Sequence, residues 1–276
     1  MKWIKLALIT TASGLLVACG QKLTTDSETA KVNGMVAVIK GETSAKTVSY
    51  QAATKSGAVK AQSGTYVVTL PLSQAKQTVT LKADGKQQQV TVKAQKPVAD
   101  YATVQKQFNQ AIVAMALPKD VQAQLKQQPK APTGQLTPQQ KMAMAKQQQA
   151  LGAAMAKAKA ATADQQLPET TSGLKQVLAT DGGKVRMNVQ AGKVIGVTNI
   201  VPMSAMKNKK QQQAFGQQLG LLANALGADA KKVGEAFSKA TEDKDSKSTT
   251  IDTITSKGIK FNVGVSMTDL YVYITR

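Results

Sequence analysis

Few side chains in this chain are equipped for covalent or acid–base chemistry, and their spacing can be weighed one motif at a time. Of 276 residues none is histidine and one, Cys19, is cysteine. The commonest general base and metal ligand is therefore missing, and a single thiol remains. The run Ser204-Ala205-Met206-Lys207 has the S-x-x-K spacing of a serine nucleophile with a lysine base. It follows Pro202 at a predicted helix start, where the expectation is an N-cap serine and a solvated lysine. Glu242-Asp243-Lys244-Asp245 offers carboxylates to a calcium ion, but the interleaved lysine and the missing loop glycine make a solvated loop the expectation. Neither the phosphate-cradling G-x-x-x-x-G-K-[ST] nor the dinucleotide G-x-G-x-x-G occurs. These residues predict no catalytic site, no metal site and no cofactor, so the chain is expected not to be an enzyme.

Cys19 differs from the other candidates because of what precedes it. Lys2 and Lys5 form a cationic start, Leu6 to Leu16 an apolar run too short for a comfortable membrane span, and small Ala18 comes just before the thiol. The run Leu16-Val17-Ala18-Cys19 resembles the lipobox of bacterial lipoproteins. That resemblance implies a signal peptide over residues 1–18, diacylglycerol transfer to the Cys19 sulfur and cleavage after Ala18. The chain is then expected at the cell membrane, lipid-anchored on its extracytoplasmic face. Two acyl chains suffice for stable anchoring, since each buried methylene contributes about 0.8 kcal/mol. No second apolar run reaches the length of a span, and a lone cysteine permits no disulfide within the chain.

Charge sets the expectation for partners. Without Lys2 and Lys5 the chain keeps 34 basic against 16 acidic side chains, and the excess is spread evenly over residues 19–96, 97–166 and 167–276. Only Arg186 and Arg276 are arginines. A nucleic-acid reader concentrates basic charge, arginine above all, on one face with interleaved aromatics, so nucleic acid is not an expected partner. Diffuse lysine suits salt-sensitive attraction to an anionic lipid surface or a wall polymer, or plain solubility. No protein partner is indicated.

The elements fall into blocks. Polar residues 19–33 read as a tether. Alternation of period two then gives strands at Val36-Val38, Val48-Tyr50, Tyr66-Val68-Leu70, Val79-Leu81 and Val90-Val92, with Asp84-Gly85 as a type I′ hairpin turn. The stretch Ser63-Gly64-Thr65-Tyr66-Val67-Val68-Thr69-Leu70-Pro71-Leu72, followed by QTVTLKADGKQQQVTVKA, resembles the closing strands of bacterial immunoglobulin-like modules of the glucodextranase-domain-B type. The likeness implies a small all-β immunoglobulin-like sandwich over residues 34–96, used as a spacer or adhesive unit, with nothing catalytic. The chain departs from the usual pattern in having Lys76-Gln77 where a Gly-Asn precedes the penultimate strand.

Residues 97–166 change period and predict a helical hairpin segment. Tyr101, Val104, Phe108, Ile112 and Met115 share one helix face; Asp100 is its expected cap and Pro118 its stop. Thr137-Pro138-Gln139-Gln140 supplies an N-cap, a first-turn proline and a capping-box glutamine for a second long helix, whose larger apolar residues are Met142, Met144, Leu151 and Met155. Those methionines suit either packing on a neighbour or an adaptable groove for apolar clients. Residues 167–276 predict an α+β domain with an antiparallel sheet packed by helices: three strands, a helix expected to be capped by Ser204 with Phe215, Leu219, Leu222 and Leu226 on one face, a short helix capped by Asp229, then three more strands. This C-terminal block is similar to segments of uncharacterised lipoproteins of Gram-positive bacteria, a likeness that implies no activity.

Leu167-Pro168-Glu169-Thr170-Thr171 differs from a sortase signal by threonine at the fifth place and by the long folded block after it, and reads as a linker. Trp3 leaves with the signal; Tyr271 and Tyr273, on one face of the last strand, are expected to close a core. The function expected from all this is a lipid-anchored surface protein with a binding, adhesion or envelope-structural role. The alternative is a solute- or client-binding lipoprotein using the helical segment or a cleft between residues 97–166 and 167–276.

Overall fold

The computed structural model describes residues 21–53, 55–126, 137–242 and 252–276. Cys19 and the signal lie outside them, as does Asp243-Lys244-Asp245. In chain order the strands and helices are β1 (Lys31–Asn33), β2 (Val36–Glu42), β3 (Thr47–Gln51), β4 (Ser56–Lys60), β5 (Thr65–Pro71), β6 (Gln77–Ala83), β7 (Lys86–Val92) and β8 (Ala99–Asp100), then α1 (Tyr101–Ala116), α2 (Lys119–Lys126) and α3 (Pro138–Ala161). They continue with β9 (Gly173–Thr180), β10 (Gly183–Gln190), β11 (Lys193–Pro202), α4 (Lys209–Ala225), α5 (Ala230–Glu242), β12 (Ile254–Ser256), β13 (Ile259–Val265) and β14 (Asp269–Thr275). The fold is thus mixed α+β, with several antiparallel sheets and five α-helices among the described residues. None of those helices is long and apolar enough to cross a membrane.

The chain divides into two compact units. The first holds the described residues up to Thr29 with residues 39–68 and 78–91; the second holds 30–38, 69–77 and 92–276. In the first unit, β4-β3-β6-β7 form a sheet in that order, and alternation buries Val48, Tyr50, Val79, Leu81 and Val90. Asp84 and Gly85 both take positive φ, 45° and 74°, so the β6–β7 turn has the handedness expected of it.

Two expectations for this region need correction. Residues 19–33 were expected to be a tether, yet Thr24 N donates to Glu42 O at 2.9 Å, Asp26 N to Lys40 O at 2.9 Å, and β1 pairs with β2 from Lys31↔Val38 to Asn33↔Val36. Polar residues do not prevent strand pairing, because the backbone supplies the bonds. In β2 the buried residues are Ala37, Ile39 and Gly41 rather than Val36 and Val38. The reason lies at Gly41, where an added Cβ would stand 1.9 Å from Thr24 O and 2.6 Å from the Tyr66 hydroxyl. Only glycine allows that approach, and its place sets which face of the strand turns inward.

In the second unit the sheet runs β12-β13-β14-β11-β10-β9, with β8 paired to the start of β11. Two three-strand meanders, β9–β11 and β12–β14, meet through β11 and β14, which pair antiparallel from Val197↔Ile274 to Pro202↔Asp269. Inward residues Val185, Met187, Val197, Val201, Phe261, Leu270, Val272 and Ile274 share one core with Phe108 and Ile112 of α1, Phe215, Leu219 and Leu222 of α4, and Val233 and Phe237 of α5. Phe215 and Phe237 meet edge to face at 5.3 Å.

Asp100 stands at the N-cap of α1 but makes no side-chain cap bond there, its carboxylate being paired with Lys193. Thr137 and Gln140 form the expected reciprocal capping box at α3. Ser204, however, lies in the helical region ahead of a short 3₁₀ turn, Ala205–Lys207, and makes no cap bond. The cap of α4 is Asn208, whose Oδ1 accepts from Lys210 N at 3.0 Å and Gln211 N at 3.2 Å. An asparagine amide is as good a cap as serine, and it sits at the residue where the backbone becomes extended.

Two buried phenols mark how tightly the units are closed. Tyr66 donates to Thr24 O at 2.8 Å and Tyr101 to Pro168 O at 2.6 Å. Burial pushes both hydroxyls from the ordinary 10.0 up to about 12, with Asp26 adding to the rise at Tyr66. Below about pH 10 both states keep the proton; between about pH 10 and 12 only the unfolded chain loses it, so stability falls across that window. Urea denaturation on either side of the window should show a smaller alkaline loss for Tyr66→Phe and Tyr101→Phe than for the parent, and equal losses would reject the assignment.

Candidate functional site

A cleft of about 630 Å³ opens between α1, the β9–β10 turn and α4. Its floor is apolar, from Phe108, Ile112, Leu178 and Leu221; its rim is polar, with Asp164, Asp181 and Gln217 exposed. The volume lies within the range of small-molecule sites.

The turn that walls this cleft is fastened to α4 by one side chain. Gln218 is 5% exposed, and its Nε2 donates to Gly182 O at 3.1 Å and to Asn199 Oδ1 at 3.0 Å. Its Oε1 accepts from the Thr180 hydroxyl, which itself accepts from Gly182 N at 3.0 Å. Two glycines make the approach possible. A Cβ on Gly182 would stand 2.7 Å from Ala214 O, and one on Gly183, where φ is 109°, would stand 2.5 Å from Ile200 O. Asn199 is fully buried on the core side of β11, and among the described residues its Nδ2 meets no acceptor. A buried amide left one bond short is costly, which points to a packed position the fold cannot relax.

The opposite wall rests on the segment after α3. Leu167 is buried in the core; its N–H donates to Asn109 Oδ1 at 2.8 Å and its carbonyl accepts from Asn109 Nδ2 at 2.9 Å. The leucine of the sortase-like run is thus an anchor for α1. A second crevice of about 540 Å³ lies between α1, α2 and α3, lined by Val113, Leu117, Leu125 and Met155. Met155 faces this crevice, whereas Met142 and Met144 lie on the exposed first half of α3.

The sequence-predicted residues are not gathered at either place. Ser204 and Lys207 are both exposed, and the bond between them is backbone only, from Lys207 N to Ser204 O at 3.2 Å. Two further runs of the same spacing, Ser73-Gln74-Ala75-Lys76 and Ser172-Gly173-Leu174-Lys175, escape the sequence reading; the buried Ser73 hydroxyl accepts from Ala75 N at 3.1 Å, as a turn serine does. No group of three His, Cys, Asp or Glu side chains converges among the described residues. Tyr271 and Tyr273 do not close the core: that task falls to Leu270, Val272 and Ile274, and the tyrosines lie half-buried on the other side of β14. Sequence reasoning missed Gln218, one glutamine among many; the Gly182-Gly183 pair after Thr180 was the available sign that something comes close.

Comparison with protein-family models, with curated proteins and with solved structures finds no match to this chain.

Replacing Gln218 by methionine keeps volume and strips the turn of its clamp. The expected loss is about 2–3 kcal/mol in denaturant unfolding of the second unit, with faster hydrogen exchange at Gly182. A loss under about 0.5 kcal/mol would show that the turn holds without it.

Proposed function

We propose that this chain is a lipid-anchored extracytoplasmic binding protein, without catalytic activity, held to the cell membrane through Cys19. In this reading residues 34–96 serve as an immunoglobulin-like spacer, and the elements of residues 97–276 form the part that binds. The observation that carries the proposal is the cleft between α1, the β9–β10 turn and α4, with an apolar floor and a rim of amides and carboxylates. Such a lining suits a small amphipathic solute whose apolar body rests on Phe108, Ile112 and Leu178 while its polar end meets the rim. The residue inventory supports a binder over an enzyme, since the chain has no histidine and its one thiol is the lipidation candidate.

Two measurements test the two halves of this reading. Labelled palmitate should enter the parent in living cells and not Cys19→Ser; equal labelling would refute the anchor. Nile red, as a neutral amphipathic probe, should gain fluorescence on the full chain, and Gln217→Trp, which fills the mouth of the cleft from an exposed position, should abolish the gain. Unchanged fluorescence in that variant would refute the cleft as the binding place and favour a display role.

A further inference from the structure

The seven-stranded sheet has a second face, turned away from the helix layer, which meets the rim of the cleft at Lys184. Register places its residues in rows across the strands. Lys184, Ile200 and Tyr271 form one row, and Arg186, Thr198 and Tyr273 the next. Beyond them the face is covered by residues of the same unit: Asn188 Nδ2 donates to Leu72 O at 2.8 Å, and a Cβ on Gly196 would stand 2.7 Å from Met35 Sδ. The two named rows are left with Lys184 and Arg186 exposed and both tyrosines half-buried.

The tyrosines are held in a fixed pose. Their rings lie parallel within 6° and 5.8 Å apart. A Cβ on Gly34 would stand 2.6 Å from one edge of the Tyr273 ring, and a Cβ on Gly264 3.3 Å from the other. Glycine at both places lets the ring stand between them. Stacking on each other uses one face of each ring, so a nucleobase cannot insert between them. What they offer outward is their edges and hydroxyls.

Charge on these rows has one sign. Lys184 and Arg186 stand two residues apart on β10, about 7 Å, and among the described residues neither forms an ion pair or side-chain hydrogen bond. Lys260, paired with Thr275, adds a third cation on this side. One carboxylate, Asp269, stands in the adjoining row opposite Pro202, two residues before Tyr271, and accepts from the Thr268 hydroxyl at 2.6 Å. Arginine matches a phosphodiester with a two-pronged donor and lysine with a point charge. Their separation is on the scale at which a polyol phosphodiester repeats its charge.

We propose that this face binds a polyol-phosphate polymer, with successive phosphodiesters on Lys184 and Arg186 and the polyol hydroxyls at the hydroxyls of Tyr271 and Tyr273. The site shares Lys184 with the rim of the cleft, has Arg186, Tyr271 and Tyr273 to itself, and does not need the lipid anchor. Titration of poly(glycerol phosphate) oligomers into the full chain carrying Cys19→Ser, across a salt series, tests it. Lys184→Gln with Arg186→Gln should raise Kd about tenfold and flatten the salt dependence. Tyr271→Ala should weaken binding a few-fold without altering the salt slope, while Lys231→Gln with Lys232→Gln on α5 should leave both unchanged. Equal weakening by the α5 pair, or none by Tyr271→Ala, would overturn the proposal. So would tighter binding of oligothymidylate or of phosphatidylglycerol vesicles through the same residues.

Discussion

β11 is the strand on which the second unit depends, because it is buried on both faces. From Val194 to Asn199 every residue is buried, and Val201 follows. One side presents Val197, Asn199 and Val201 to the helix layer; the other presents Gly196 to Met35 and Thr198 to the tyrosine row. Because side-chain direction alternates along a strand, a one-residue slip would put Gly196 against the helices and Asn199 against the tyrosine row. Neither face tolerates the exchange. The strand therefore holds the β9–β11 and β12–β14 meanders in one register, and the walls of the cleft and the cationic rows inherit their positions from it.

Asn199 shows what that rigidity costs. An amide in a strand core satisfies its oxygen through Gln218 and leaves its nitrogen without an acceptor. Packing around a doubly buried strand is dense enough that the sheet keeps the unmet donor instead of moving to satisfy it. The same glutamine that meets Asn199 also fastens the β9–β10 turn, so Thr180, Gln218 and Asn199 form one connected group.

Where the chain alternates strictly, its elements were legible: Val48-Tyr50, Val79-Leu81 and the Asp84-Gly85 turn appear as strands and turn, and the stripe Tyr101-Val104-Phe108-Ile112 as the buried side of α1. The Thr137 capping box and the Asp229 cap were legible too, since each is a local hydrogen-bond pattern. What escaped was decided by distant neighbours. The facing of β2 turns on Gly41 meeting Thr24, and β4, with the sequence Ser-Gly-Ala-Val-Lys, has no apolar alternation and is held by its pairing with β3. The cleft was anticipated only as a possibility between residues 97–166 and 167–276, and Gln218 and Asn109 could not be singled out, because their roles depend on approach between elements far apart in sequence. Tyr271 and Tyr273 were placed correctly on one face, but which face lined the core depended on neighbouring strands.

The long helix α3 has an uneven footing. Its residues from Pro138 to Ala150 are exposed at every position, while the described contacts that hold it, at Met155, Ala158 and Thr162, come late. A segment of that length has no tertiary packing to lean on and relies on the intrinsic helicity of alanine, lysine and glutamine together with its threonine cap. Its leading turns should therefore unwind and rewind many times in the native state while the sheet stays intact. Fraying of that kind makes this stretch, among the described residues, one that a protease would nick well before either unit comes apart.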